Sequence, residues 1–138
     1  MIQLQNSFAP VISDLSTLEK HVSSPLANSD ISVYREAITA ARVELERRFD
    51  DGVNARELVA LRSDFVDTLL IQLWQRAGLS TSQHALLAVG GYGRRELHPY
   101  SDVDIAIVLG ARPSKSESVA ITSLVTFLWD IGLEVGHS

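Results

Sequence analysis

A chain of 138 residues is long enough for one domain with a core of its own. Its 46% apolar and 21% charged content is that of an ordinary globular protein, and its net charge of −5 leaves no basic field for indiscriminate nucleic-acid binding, so no nucleic-acid partner is expected. The absence of cysteine excludes disulfides and thiolate metal sites, no apolar run approaches the length of a membrane span, and the opening MIQLQNSFAP lacks the basic-then-apolar pattern of an export signal, so the expected setting is cytoplasmic, with no membrane partner.

Residues 1 to about 30 carry only a weak helical spacing, Val11, Leu15, Leu18 and Val22, bracketed by Pro10 and by Ser23-Ser24-Pro25. Asn28-Ser29-Asp30 is turn-like and leads towards a helix cap. From Ser32 to about Phe49, Val33, Ala37, Ala40-Ala41 and Leu45 recur at helical spacing, and Asp50-Asp51-Gly52 ends the run. Arg42, Glu44, Glu46, Arg47 and Arg48 interleave acids with bases and read as a solvated face.

The longest predicted helix runs from Asn54 to Ala77. Asn54 with Glu57 three residues on resembles a capping box, and Leu58, Leu61, Phe65, Leu69 and Leu73 form a stripe widened by Val66, Leu70 and Trp74. Trp74 could stack on a nucleobase, but at stripe spacing it reads first as a packing residue. Gly78 closes this helix, and the short Gly52 turn makes the two helices an antiparallel pair.

Leu79 to Gln83 is a polar loop, and His84 to Val89 is the first predicted strand. It runs into Gly90-Gly91-Tyr92-Gly93, then a basic, polar turn, then Ser101-Asp102-Val103-Asp104 and a second apolar run, Ile105 to Leu109. Residues two apart in a strand share a face, with Cα atoms about 6.5–7 Å apart. Asp102 and Asp104 therefore aim two like charges at one spot, where each opposes ionisation of the other unless a cation lies between them. Magnesium suits such a pair, because it takes a few carboxylates and fills its other positions with water and phosphate oxygens. Gly90, Gly91 and Gly93 let the backbone turn sharply and approach a ligand, and successive amides in such a turn form an anion-binding concavity. Together the two halves make a site for a nucleoside triphosphate with its magnesium.

Within this loop Pro99 blocks continuous helix and biases His98 away from helical geometry. His98 is read as a structural hydrogen-bonding residue before a general acid or phosphate ligand. Tyr92 and Tyr100 are open between loop packing and contact with base or ribose. After a turn at Gly110 to Pro113, Ser114 and Glu117 form a capping box for a helix whose apolar surface is Val119, Leu124, Phe127, Leu128 and Ile131. Gly132 closes it, and Leu133 to His137 begins a last strand. Helices first, then strand, loop, strand, helix, strand, imply an α/β fold with a small mixed sheet flanked by helices, and a division into an amino-terminal helical region, 1–78, and a core, 79–138.

Gly90-Gly91, ten intervening residues and Asp102-Val103-Asp104 resemble the signature of the polymerase-β-like nucleotidyltransferase superfamily. The wider GGYGRREL-HPYSDVDI, with YREAI, ARELVALRSDFVDTLLIQLW and LWDIGLEVGHS, is similar to the amino-terminal portion of the bifunctional uridylyltransferase/uridylyl-removing enzymes of PII nitrogen signalling, from about Val33 to Ser138. Arg95 departs from that pattern, in which a glycine is usual. The resemblance implies a polymerase-β-like fold, UTP as donor and a tyrosine hydroxyl of the PII signal protein as acceptor. It implies that Asp102 and Asp104 hold magnesium, that the Gly90 and Gly91 amides and the Ser101 hydroxyl hold phosphate oxygens, and that Arg94 stabilises charge there. It also implies a third carboxylate. Glu134 is the only acid on a strand after Asp104, and the preferred placement is beyond Ser138, in a core incomplete at its carboxy end. The hydrolytic and glutamine-sensing domains of that family have no counterpart here, so the portion alone is expected to be weak or inactive. A related nucleotidyltransferase of other substrate, or a nucleotide-binding module without chemistry, is the alternative.

Other motifs fail. A dinucleotide fingerprint beginning at Gly91 would need a third glycine at Glu96, no Gly-Lys-Ser/Thr follows the glycines, and an EF-hand would need oxygen ligands where the chain turns apolar after Asp104.

Overall fold

The computed structural model describes residues 31–79, 83–98, 101–133 and 135–137. The weak helical spacing of 11–22, the cap at 28–30, most of the loop at 79–83, and Pro99, Tyr100 and Glu134 fall outside them.

Helix α1, Ile31–Asp50, follows the expected helical run almost to the residue. Its inward face is turned slightly from the one expected. Tyr34, Ala41 and Arg48 are buried, with Ile38 and Leu45 packed against the core, whereas Ala40 is exposed. Arg48 thus corrects the solvated-face reading. It is 2% exposed, and its Nε donates to Glu44 Oε1 at 2.7 Å, so the guanidinium enters with a carboxylate beside it. Gly52, at φ +87°, follows the helix and donates its amide to Phe49 O. An L-residue adopts that conformation at a cost, which is why the turn falls there.

Helix α2, Ala55–Arg76, buries every member of its expected stripe, Trp74 included, so Trp74 is a packing residue. Its cap differs from the box expected: Asn54 Oδ1 accepts from the Arg56 amide at 2.8 Å. Arg76 at the end of α2 donates to the hydroxyl of Tyr34 at the start of α1, as an antiparallel pair requires.

Strand β1, His84–Ala88, pairs antiparallel with β2, Val103–Leu109, with Ala88 opposite Ile105 and His84 opposite Leu109. Helix α4, Lys115–Asp130, is the crossover that brings β3, Val135–His137, parallel to the other edge of β2. The sheet is therefore mixed, in the order β1-β2-β3. The Ser114–Glu117 capping box forms in full. Val119, expected on the apolar face of α4, is 59% exposed; Ala120 and Ile121 pack inward in its place.

One apolar core runs through all of this, joining Phe65 and Leu69 of α2, Val103 and Ile105 of β2, and Leu124 and Leu128 of α4. The tyrosine ring of Tyr34 meets Phe127 edge-on at 5.4 Å. The other face of the sheet carries Leu87 and Val108, 46% and 47% exposed, and the same face bears Asp104.

Candidate active site

Between β1 and β2 the glycines form a single helical turn, α3, Gly90–Gly93, entered from extended Val89. The Val89 amide donates to the carbonyl of Asp104 at 3.0 Å, which ties the start of the turn to the acidic end of β2. Gly90 has φ +58°, and a Cβ there would lie 2.8 Å from Asp104 Oδ2. A Cβ on Gly93 would lie 2.7 Å from the carbonyl of Ala88. These two glycines are steric requirements. Gly91 is not: a Cβ there would find its nearest neighbour at 3.4 Å, with Arg94 Nη2 at 3.9 Å. The first amides of a helical turn have no partner four residues back, and those of α3 belong to Gly90, Gly91 and Tyr92.

Asp102 is exposed and Asp104 half-buried, while Val103 and Ile105 are each 1% exposed. The alternation places both carboxylates on the face opposite the core. Neither carboxylate makes an ion pair among the described residues, where the loop arginines go to Glu96 and Asp64 instead. Ser101 is half-buried, and its amide donates to His98 O at 3.1 Å. Arg94 is 67% exposed, and its Nε is 3.5 Å from Glu96 Oε2, a contact loose enough to exchange for another anion.

The rest of the loop rests on α2. Tyr92 is buried and donates its hydroxyl to Asp67 Oδ1 at 2.5 Å. Burial first, and then that carboxylate, pushes the phenol well above its ordinary range. Tyr92 is therefore a loop-packing residue and not a base contact. Arg95 pairs with Asp64 at 2.7 Å. It sits at φ +58°, alone among the described non-glycine residues in the left-handed region. A glycine would be at ease there, which gives the unusual residue at 95 a physical consequence. His98 is exposed, and its hydrogen bonds are made by its backbone: the carbonyl accepts from Arg62 Nη1 at 2.8 Å as well as from Ser101. These α2 partners, Arg62, Asp64 and Asp67, were not visible in the sequence, since nothing in their spacing names a contact some 25 to 36 residues away.

His84 is buried at the far end of β1, and its Nε2 meets Glu117 Oε2. Glu117 also holds the α4 cap, and the Ser114 amide, more than His84, draws its carboxyl below the ordinary range. His84 lies at the end of the register opposite Leu109, away from the aspartates, and the pair serves the fold. A cavity of about 680 Å³ opens between α1 and α2 and reaches Ser101 and His98, but Asp102, Asp104 and the glycines of α3 do not line it.

The donor set suits a hard divalent cation: two carboxylates two residues apart on the face opposite the core, with Gly90 leaving room beside Asp104 Oδ2. Among the described residues no third acid or histidine joins them.

The family model described as "Putative nucleotidyltransferase DUF294" matches residues 39–136. Bifunctional uridylyltransferase/uridylyl-removing enzymes of Ectopseudomonas mendocina and Haemophilus influenzae are each 47% identical, over 114 and 118 residues, or 82% and 85% of the chain. That of Pseudomonas aeruginosa is 46% identical over 114 residues. The chain spans only 13% of the length of each of these relatives. No solved structure matches.

Proposed function

Because the chain belongs to the DUF294 nucleotidyltransferase family, we propose that it forms the donor-nucleotide site of a magnesium-dependent transferase that moves UMP from UTP to a tyrosine hydroxyl of the PII signal protein, in nitrogen and glutamine regulation. Membership and the named relatives support a nucleotidyl transfer; the donor, the acceptor and a cytoplasmic setting rest on the likeness to uridylyltransferases. No described helix is long and apolar enough to cross a membrane. The observation that carries the reading is the approach of Gly90 to Asp104, whose carboxylate a Cβ at residue 90 would strike, with the exposed Asp102 two residues before it in the chain.

In this reading Asp102 and Asp104 hold magnesium. The amides of Gly90 and Gly91 and the hydroxyl of Ser101 bind β- and γ-phosphate oxygens, and Arg94 leaves Glu96 to meet the same charge. The acceptor oxygen bonds to the α-phosphorus, the bridging P–O bond to the β-phosphate breaks, pyrophosphate leaves with the bonding electrons, and the hydroxyl proton passes to solvent. Bound magnesium would neutralise charge on the triphosphate and leaving group and ease loss of that proton. In this reading the chain divides into an amino-terminal helical region, 1–78, and a polymerase-β-like core, 79–138. A nucleotide-binding module without chemistry is the second reading.

The test is calorimetric titration of the chain with UTP, ATP, CTP and GTP in magnesium, with Asp102→Asn/Asp104→Asn alongside. UTP-selective binding that the double variant loses is the expected result. Equal binding of all four leaves nucleotidyl transfer standing and removes the uridylyl assignment. Binding that the double variant keeps removes the site.

A further inference from the structure

Helix α2 and the catalytic loop run past each other in opposite chain sense, and they touch at three points: Asp67 with Tyr92, Asp64 with Arg95, and Arg62 with His98. The three contacts differ in kind. Asp64 and Arg95 are both substantially exposed, a setting in which an ion pair contributes little. The Tyr92 hydroxyl is enclosed, its ring is 4% exposed, and Asp67 is its acceptor. Arg62 is half-buried, makes no ion pair among the described residues, and spends a donor on a backbone carbonyl that also accepts from Ser101. Burial, and then the like charge of Arg42, pull its guanidinium below the ordinary range, so it stays in place at a cost.

These two anchors bracket the site. Tyr92 lies within α3, two residues from the Gly90 that rests on Asp104. His98 O holds Ser101, the residue before Asp102. We propose that Asp67 and Arg62 are positioning residues that hold the glycine turn and the aspartate pair at a set separation, which makes α2 part of the nucleotide site although it supplies no group to the nucleotide. The consequence for binding rests on the function proposed above; the anchoring itself does not.

The experiment uses the whole 138-residue chain and compares Asp67→Ala with Asp67→Asn, which keeps an acceptor oxygen, and Arg62→Met with Arg62→Lys, which keeps a donor. Asp64→Ala is the control. Amide hydrogen exchange is followed residue by residue in the absence of ligand, and magnesium–UTP affinity by calorimetry. Loss of one such hydrogen bond should speed exchange at Val89 and Gly93 (Asp67→Ala) or at Ser101 (Arg62→Met) by about tenfold, with amides of α4 unchanged. Magnesium–UTP affinity should fall by about the same factor, Asn and Lys should restore most of both, and Asp64→Ala should change neither by more than about twofold. Uniform acceleration at all slow amides, or no acceleration at the loop, overturns the proposal. Should Asp67→Ala fail to fold, Tyr92→Phe removes the same hydrogen bond and keeps the ring. If the variants show this exchange pattern and the unmodified chain binds no magnesium–UTP, the function is overturned and the anchoring upheld.

Discussion

Glu44 and Asp104 are both carboxylates on regular elements, each with arginines close by in the chain, yet the fold treats them in opposite ways. Glu44 accepts from Arg47 at 2.9 and 3.0 Å and from Arg48 at 2.7 Å. The Arg47 hydrogen bonds, with help from Arg48, draw its carboxyl down to about 2. Glu117 at the start of α4 is similarly engaged, by its own cap and by His84. Asp104 and its neighbour Asp102 follow Arg94 and Arg95 in the chain, but those arginines go to Glu96 and Asp64. What separates a structural acid from the proposed site acids here is therefore where the nearby cations are sent. In α1 they turn onto the acid; in the loop they pair with Glu96 and Asp64, and neither Asp102 nor Asp104 has an ion-pair partner among the described residues.

The sharpest way to break that contrast is to refill the space over Asp104. Gly90→Ala must adopt a φ of +58° and place a methyl 2.8 Å from Asp104 Oδ2. It should lower stability by about 1–3 kcal/mol and abolish measurable magnesium–UTP binding. Gly91→Ala meets only an ordinary contact at 3.4 Å and should stay within about 1 kcal/mol and threefold in affinity. Denaturant melts and calorimetry on the two variants check this; equal losses would mean that the cradle does not depend on the approach of Gly90 to Asp104.

The structural acids should fail differently. Ser114→Ala removes one half of the capping box and should cost about 1 kcal/mol in a thermal melt, with nucleotide affinity unchanged. Glu44→Gln keeps an acceptor oxygen but removes the counter-charge of the buried Arg48, so it should cost more near pH 7 than the loss of an exposed pair, about 1–3 kcal/mol. Its signature is in acid. A carboxyl lowered from 4.5 to about 2 stabilises the folded chain fully above the unfolded value, and this contribution is lost as pH falls from about 4.5 towards 2. Wild type and Glu44→Gln should therefore converge in stability across that window. Parallel curves through it would remove Glu44 from the acid response.

The same contrast explains which features the sequence could disclose. The α2 stripe, the Ser114 box, and the strand–glycine–aspartate–strand order were legible because period, cap and turn chemistry are local. Glu44 and Arg48 stand four apart on one helix, but a mixed charge run reads as a wet face, and only tertiary packing shows Arg48 to be buried. Tyr34 broke no pattern and yet closes the core against Phe127. Asp67 and Arg62 lie among the polar positions of an amphipathic helix, where the periodicity that identifies the helix is silent about what its polar side meets. The candidate aspartates were legible because two acids at strand spacing before a buried run make an electrostatic conflict that needs no partner to be noticed. The α2 anchors were not, because each is half of a contact whose other half is remote in the chain.

Arg95 gives the smallest expected effect and the finest test of the contrast. It bears two opposed contributions: a left-handed backbone that costs a non-glycine residue about 1 kcal/mol or more, and an exposed ion pair with Asp64 that returns about 0.2–1 kcal/mol. Arg95→Gly removes both, and it also adds freedom to the unfolded chain, which takes back part of the relief. The net expectation is a gain of at most about 0.5 kcal/mol, within a degree or two or a little more of melting temperature for a chain of this size, and no change in magnesium–UTP affinity. If the gain appears and Asp64→Ala adds nothing to it, the pair acts only as a sink for a cation that would otherwise be free to approach Asp102. A loss of affinity in Arg95→Gly would instead place the arginine among the groups that meet the triphosphate.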